Sequence, residues 1–120
     1  GRQRSISRPG AEGKAQIEAA MAALRAEGLQ TLEGAASLWD LEQQKRIGAD
    51  GHSEDVPRWA GNVLIWDLVT GGRVAARPSG TEPKLKLYLE TRRDTEGAPT
   101  LAELEARLLE VAGLTAAAGA

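Results

Sequence analysis

Residues 77–90 read RPSGTEPKLKLYLE and carry the clearest pattern in the chain. From Lys84 to Glu90 a leucine stands at every second position, between lysines, a tyrosine and a glutamate. This period of two predicts a β-strand with one buried face and one face toward water. Pro78 and Pro83 restrict the backbone just before the strand, so the sequence predicts a stiff bend at its start.

Strand signals continue along the chain outward from this bend. The stretches expected to form strands are residues 2–8, 62–69, 73–77 and 84–90. Gly71 and Gly72 are expected to supply the positive φ values of a tight hairpin turn. Residues 37–42, SLWDLE, are a candidate short strand, whereas residues 48–57 are interpreted as an acidic loop rich in turn residues.

Two helices are predicted beside these strands. Residues 11–27 end before Gly28, which stands at the position of a left-handed cap, and their apolar stripe is Ile17, Ala20, Met21 and Leu24. A second helix is expected after Thr100, which forms a capping box with Glu103, and its stripe is Leu101, Leu104, Leu108 and Val111. The order of elements predicts an α+β fold, an antiparallel sheet of about four strands with two helices on one face.

Length and composition limit the architecture to one small domain. The 120 residues include no cysteine and no phenylalanine, so the core is expected to be aliphatic, with Trp39, Trp59 and Trp66 as packing residues. We expect one domain over residues 1–115 and a frayed tail over residues 116–120. The chain does not begin with methionine, which suggests a fragment or a processed piece.

Hydropathy and charge limit the cellular locations and the classes of binding partner that are expected for this chain. No apolar run approaches the roughly 20 residues that a membrane span requires, and the first residues lack a secretory signal. The lack of cysteine is typical of a reducing compartment, and a cytoplasmic location is expected. The net charge of −2 argues against general binding to nucleic acid. Arg2, Arg4 and Arg8 are interpreted as protection of an edge strand.

The bend between the last two predicted strands has the residue types of an anion-binding loop. Arg77 offers a planar fork of donors that matches two oxygens of a phosphate or carboxylate. Ser79 and Thr81 add hydroxyl donors, and Gly80 allows a turn in which consecutive N–H groups point inward. Lys84 adds a positive charge at the rim. These residues predict a phosphate-binding loop at a strand corner.

Other interpretations compete with this hypothesis. Pro-Ser-Gly-Thr is also ordinary turn chemistry, and the residue types alone do not decide between the two. The bend could instead be the exposed basic corner of a small α+β interaction module that recognises an acidic partner. A weaker alternative is contact with nucleic acid through Arg77, Lys84, Lys86, Arg92 and Arg93. Residues 50–55 match the ligand spacing of neither a calcium nor a zinc site, so no metal site is expected.

The stretch RPSGTEPKLKLYLE resembles, nearly letter for letter, a loop and strand of the α-D-phosphohexomutases, the phosphoglucomutase and phosphomannomutase family. In that family the segment lies in the C-terminal domain. The resemblance extends more weakly to residues 62–80, to the second predicted helix and to residues 17–29. Residues 29–58 are the least recognisable part.

The resemblance implies the fourth domain of a four-domain mutase, with a fold likened to the TATA-box-binding protein. In such enzymes a phosphoserine beside Mg²⁺ in the first domain exchanges a phosphoryl group between sugar 1-phosphate and 6-phosphate. The fourth domain grips the phosphate that is not transferred. The implied partners are a hexose phosphate and the remaining domains, with no membrane and no nucleic acid. The implied phosphate ligands in this chain are Arg77, Ser79, Gly80 and Thr81, with Lys84 at the rim.

Family features that carry the chemistry are absent from the sequence. The chain has no Ser-His-Asn-Pro nucleophile loop, no Asp-x-Asp-x-Asp metal loop and no Glu-x-Ser-Gly sugar-reading loop. No catalytic residue and no magnesium ligand is therefore assigned here, and the chain is expected to be inactive alone. The preferred sugar stays open, because the loop that distinguishes sugars is missing.

Overall fold

The computed structural model describes residues 1–58, 60–92 and 96–115. The frayed tail expected at residues 116–120 and the packing role expected of Trp59 lie outside these residues. The described chain forms two α-helices, α1 (Gly10–Glu27) and α2 (Leu101–Ala112), and a 3₁₀ turn at Gly28–Thr31. Its strands are β1 (Arg2–Ser7), β2 (Ala35–Asp40), β3 (Lys45–Gly48), β4 (Ser53–Asp55), β5 (Leu64–Leu68), β6 (Arg73–Pro78) and β7 (Lys84–Glu90).

The seven described strands form one antiparallel sheet in the order β1-β7-β6-β5-β2-β3-β4. Both helices pack on one face of this sheet, where the buried leucines of β7 share a core with Met21 of α1 and Leu108 of α2. This arrangement confirms the predicted α+β class. Neither described helix is long and apolar enough to cross a membrane.

The sheet has more strands than the sequence predicts, because residues 35–55 contribute β2, β3 and β4. The last two are short and show no regular apolar alternation, so their pairing leaves little signal in the sequence. All side chains of β4 are exposed. Cross-strand ion pairs accompany its backbone pairing: Lys45 Nζ contacts Asp55 Oδ1, and Arg46 Nη1 lies 3.0 Å from Glu54 Oε1. Part of the predicted acidic loop is therefore a strand.

Most of the features predicted for the two helices are confirmed, but the left-handed cap at Gly28 is not. Gly28 has a positive φ of 65°, but its ψ of −133° is not that of the left-handed helical conformation, and the chain continues into the 3₁₀ turn. The buried residues of α1 are its apolar stripe, Ile17, Ala20, Met21 and Leu24, together with Gly13. Trp66 of β5 is fully buried and donates its Nε1–H to the carbonyl of Gly28 at 3.0 Å, which satisfies its one polar group. At the start of α2, Thr100 Oγ1 accepts the N–H of Glu103 at 3.1 Å, which confirms the capping box.

The start of α1 is fixed against the end of β1 and the residue before β7. Gly13 packs so closely that an added Cβ would lie 1.9 Å from the carbonyl oxygen of Arg8. The N–H of Arg8 in turn donates to the carbonyl of Pro83 at 2.9 Å. A residue without a side chain is therefore required at position 13. The hydrogen bond between Arg8 and Pro83 connects this start of α1 to the bend at residues 78–83.

The turn between β5 and β6 differs from the prediction at one glycine. Gly71 has the expected positive φ, at 96°, but Gly72 does not. The expectation for Gly72 is wrong, and packing gives the actual reason for this residue. An added Cβ at Gly72 would lie 2.5 Å from the carbonyl oxygen of Glu90, so the end of β7 leaves no room for a side chain.

β1 lies at the edge of the sheet, but its arginines also contact a helix. Arg2 and Arg4 lie four and two residues before the buried Ile6, so all three side chains are on the same face of the strand. Both pair with Glu105 of α2, at 3.5 and 3.4 Å. The two arginines therefore connect the edge strand to α2, in addition to any role in edge protection.

Candidate functional site

The bend between β6 and β7, residues 78–83, is closed by backbone hydrogen bonds, and we call it the SGT loop. The N–H of Ser79 donates to the carbonyl of Lys84 at 3.0 Å, and the N–H of Lys84 donates to the carbonyl of Glu82 at 2.8 Å. The β6–β7 ladder continues to the first residue of the bend. The SGT loop thus stands on a paired strand corner, which is a rigid platform for a binding loop.

The hydroxyl oxygen of Ser79 accepts hydrogen bonds from two backbone amides of the SGT loop. Its Oγ accepts the N–H of Thr81 at 3.4 Å and the N–H of Glu82 at 3.3 Å. Successive amides that converge on one oxygen form the type of concavity that binds anions. The two hydrogen bonds are long, so they hold the amides only weakly. The serine hydroxyl also has a hydrogen of its own to donate.

A cleft of about 600 Å³ lies between the SGT loop and the first half of α1, and we call it the loop cleft. Its second wall comprises Gly10, Ala11, Lys14, Ile17 and Glu18 of α1. Asn62, which precedes β5, also lines this space. The volume is typical of small-molecule sites. The loop cleft therefore brings together Ser79, Gly80 and Thr81, three of the predicted ligand-binding residues.

The structure separates Arg77 and Lys84 from the other predicted residues. Side chains alternate along β6 and β7, and both residues occupy positions that face away from the helices. Neither lines the loop cleft. Arg77 is exposed and forms no ion pair with another described residue, whereas Lys84 Nζ lies 3.5 Å from Glu82 Oε2. The two cations thus stand at the same strand corner as the SGT loop, on the helix-free face of the sheet.

Gly80 is not required by the conformation of the SGT loop. Its φ lies outside the left-handed region, and an added Cβ would meet no atom within 4 Å. The structure therefore does not support the predicted reason for this glycine, a turn that needs its conformational freedom. The space beside its Cα is open, so the missing side chain leaves room for a ligand at the tip of the loop.

Several residues of the loop cleft are not predicted as site residues from the sequence, among them the polar residues Lys14, Glu18 and Asn62. Lys14 and Glu18 stand one turn apart on the exposed surface of α1, and such a charge pair is ordinary on any helix. Asn62 falls within a predicted strand. The packing of α1 brings Lys14 and Glu18 to the SGT loop, and no local pattern signals that packing. Asn62 reaches the same place because it precedes β5, which pairs with β6.

Asn62 accepts a hydrogen bond from Arg25, which forms a largely buried ion pair with Asp40. Arg25 of α1 donates from Nε to Asp40 Oδ2 at 2.8 Å and from Nη2 to Asn62 Oδ1 at 2.6 Å. The side chains of Arg25 and Asp40 are only 16% and 5% exposed. Asp40 Oδ1 accepts the N–H of Gln43 at 3.2 Å, so both carboxylate oxygens have partners. These contacts fix the position of Asn62 at the edge of the loop cleft.

The helix-free face carries a second polar cluster, around Asp67. Its Oδ1 accepts from Arg73 Nε at 2.8 Å, and its Oδ2 accepts from Trp39 Nε1 at 2.9 Å and from Ser37 Oγ at 3.4 Å. Burial raises the pKa of the Asp67 carboxyl, but these hydrogen bonds and the charge of Arg73 outweigh burial and lower the pKa below its ordinary value. Trp39 also lies 5.2 Å below the guanidinium of Arg46, so it packs on this face.

In the described part of the chain, no group of three or more histidine, aspartate or glutamate side chains is arranged to bind a metal ion. Within the acidic stretch of residues 50–55, Glu54 and Asp55 pair with basic residues of β3. Asp50 Oδ1 accepts the N–H of His52 at 2.9 Å. These contacts belong to a hairpin and its turn.

The fold and the loop cleft define a two-layer α+β domain that presents a polar loop beside its first helix. Residues 9–108 match the family model described as phosphoglucomutase/phosphomannomutase, C-terminal domain. The chain therefore belongs to this family, as the resemblance of residues 77–90 predicts.

Two curated relatives agree with this assignment. A phosphoglucomutase of Staphylococcus haemolyticus is 37% identical over 87 residues, which cover 71% of this chain and 16% of that protein. A probable phosphomannomutase of Haemophilus influenzae is 58% identical over 31 residues, which cover 26% of this chain and 6% of that protein. The chain thus spans a small part of either relative. No solved structure matches the chain significantly.

Proposed function

We propose that this domain binds the phosphate group of a hexose phosphate in the loop cleft, as part of a larger phosphoglucomutase or phosphomannomutase. The observation that carries the proposal is the SGT loop, where two amides and the hydroxyls of Ser79 and Thr81 stand at one wall of the cleft. A phosphate presents several strong acceptor oxygens, and a concave set of donors complements it.

Positive charge around the SGT loop supports this proposal. Lys14 lines the loop cleft, and Arg77 stands at the same strand corner on the other face. The strand position of Arg77 faces away from the loop cleft, and we propose that its exposed fork of donors turns around the end of the loop to a phosphate oxygen. The phosphate ligands that we propose are Arg77, Ser79, Gly80 and Thr81, with Lys84 at the rim.

In the parent enzyme we place this domain at the phosphate that is not transferred. Phosphoryl exchange between the 1- and 6-positions of a sugar requires mainly positioning and charge stabilisation from the protein. A grip on the remote phosphate supplies binding energy that orients the reacting end. The domain therefore contributes to turnover without contact with the reacting atoms.

We propose that the reacting groups belong to other domains of the parent enzyme. The sequence contains no nucleophile loop of the family type, and the described residues form no ligand set for Mg²⁺. The chain alone should accordingly have no mutase activity. A cytoplasmic location for the parent fits the absence of cysteine from this domain.

A titration followed by amide NMR tests the proposed function. Glucose 1-phosphate, mannose 1-phosphate and inorganic phosphate are added separately to the isotope-labelled chain. We expect the amide signals of residues 79–81 to move with each ligand, at weak affinity because the other domains supply the rest of the site. An acidic peptide and a short oligonucleotide serve as control ligands. Movement with either control and none with the phosphates would support an interaction module or a nucleic-acid binder instead.

A further inference from the structure

The loop cleft offers acceptors as well as phosphate donors. The SGT loop supplies hydroxyl and amide donors, which suit a phosphate, and Lys14 of α1 adds a positive charge. The carboxylates of Glu82 and Glu18, one on each wall, repel a phosphate but accept hydrogen bonds from hydroxyl groups. The cleft, at about 600 Å³, is also larger than a phosphate group alone requires. The space beside the phosphate donors therefore suits the polyhydroxyl part of a ligand.

Asn62, which precedes β5, is a firmly held polar group at the edge of this space. Its Oδ1 lies 2.6 Å from Arg25 Nη2, and Arg25 is anchored on the buried Asp40. A guanidinium has no acceptor, so this contact requires that the oxygen end of the amide faces Arg25. The amide nitrogen donates no hydrogen bond to another described residue. Because Asn62 lines the loop cleft, its two N–H groups are available to donate to a ligand bound there.

We propose that Asn62 contacts the sugar: its amide nitrogen donates to a hydroxyl or ring oxygen of the hexose whose phosphate lies on the SGT loop. Arg25 and Asp40 act as positioning residues, because they fix the orientation of this amide before the ligand arrives. Such pre-orientation reduces the entropy lost on binding. The inference rests on the proposed function and adds to it a second contact, on the sugar rather than on the phosphate.

Two probes separate a sugar contact from a phosphate contact. Dissociation constants for glucose 1-phosphate and for inorganic phosphate are measured by NMR titration of the chain and of Asn62→Ala. We expect Asn62→Ala to weaken glucose 1-phosphate about three- to tenfold, the range of one hydrogen bond, and to leave inorganic phosphate within about twofold. Ser79→Ala is the matched control, and it should weaken both probes.

A second variant keeps the test independent of folding effects at position 62. Asn62→Asp retains an oxygen toward Arg25 but lacks the amide donors. Its added charge repels both probes, so the readout is the ratio of the two dissociation constants. We expect this ratio to shift against glucose 1-phosphate in both Asn62 variants. An unchanged ratio in both would overturn the sugar contact while leaving the proposed function intact, whereas a wild-type chain that binds neither probe would overturn both.

Discussion

The hydroxyl oxygen of Ser79 accepts the backbone N–H of Glu82 at 3.3 Å, and the same oxygen accepts the N–H of Thr81. One side chain thereby sets the directions of two amides at the tip of the SGT loop. Ser79 also lines the loop cleft. Its hydroxyl therefore both shapes the loop and faces the space in which we place the phosphate.

Replacement of Ser79 by alanine removes this oxygen and the hydroxyl donor. We expect affinity for glucose 1-phosphate to fall about tenfold, as for the loss of one hydrogen bond to a charged group. The fold should persist, because Ser79 is only partly buried and lies outside the core. NMR titration and thermal unfolding measure the two quantities. Ser79→Thr keeps the hydroxyl and should retain affinity, and wild-type affinity in Ser79→Ala would remove this side chain from the site.

Arg77 tests whether the helix-free side of the strand corner takes part in binding. In the full-length enzyme Arg77→Lys should lower kcat/KM about tenfold, because a point charge does not reproduce a bidentate grip on phosphate. Arg73→Lys is the matched control, since Arg73 lies on the same strand and face but pairs with Asp67 at 2.8 Å. If Arg77→Lys kept the same kcat/KM as Arg73→Lys and the wild type, Arg77 would not contact the phosphate, and the SGT loop alone would bind it.

A substitution at Gly13 tests how closely the start of α1 packs against the carbonyl group of Arg8. The Cβ of Gly13→Ala would lie 1.9 Å from the carbonyl oxygen of Arg8, so the helix or the end of β1 must shift. We expect a loss of about 1–3 kcal/mol in the free energy of unfolding, as for an overpacked core site. Gly80→Ala is the control, because its Cβ would meet no atom within 4 Å. Chemical denaturation that showed equal stability for both variants would contradict this packing.

The Arg25–Asp40 pair should matter far more for stability than an exposed pair. Asp40 is 5% exposed and Asp55 is 84% exposed, yet both form ion pairs. Asp40→Ala leaves a guanidinium largely buried without its main partner, and we expect a loss of about 3 kcal/mol in the free energy of unfolding. Asp55→Ala should leave the denaturation midpoint unchanged, since exposed pairs contribute little. Arg25 keeps only the exposed Glu42, at 3.7 Å, and Asn62 as partners in this variant. Equal effects of the two substitutions would contradict the prediction.

Asp67 predicts a specific response to acid. Its partners lower the pKa of the folded-state carboxyl below the ordinary value of 3.8. The ionised carboxylate therefore contributes stability that is complete above the unfolded-state pKa and is lost as the pH falls through 3.8 toward the folded-state pKa. Asp67→Asn cannot ionise, so it should lose less stability on acidification below about pH 4 than the wild type. Denaturation at a series of pH values measures this difference, and parallel curves would exclude the effect.

Much of the fold is predictable from local sequence patterns. The alternation from Lys84 to Glu90 predicts β7, and Thr100 with Glu103 predicts the start of α2. β4 is not predictable in this way, because its exposed polar side chains show no period and only its pairing with β3 defines it. The face of Arg77 follows from strand parity, with Val74 and Ala76 buried and Arg77 on the opposite face. The prediction that groups Arg77 with the loop residues considers residue types alone and therefore misses it.

Only the SGT loop of the candidate site is predictable from the sequence. Ser79, Gly80 and Thr81 are adjacent in sequence, and their residue types by themselves indicate anion binding. Lys14 and Asn62 reach the same cleft through contacts between distant segments. The hydrogen bond from Arg8 to Pro83 connects the start of α1 to the SGT loop, and the pairing of β5 with β6 brings Asn62 close. Neither contact leaves a ligand-binding motif in the sequence.

If the SGT loop binds the phosphate of a sugar phosphate inside the loop cleft, a crystal structure of the chain with glucose 1-phosphate will show the ligand there. We predict the phosphate within hydrogen-bond distance of Ser79 Oγ and the amides of residues 80–82, with the sugar toward α1 and Asn62. A ligand bound on the helix-free face or elsewhere, with the loop cleft occupied only by water, would contradict the account.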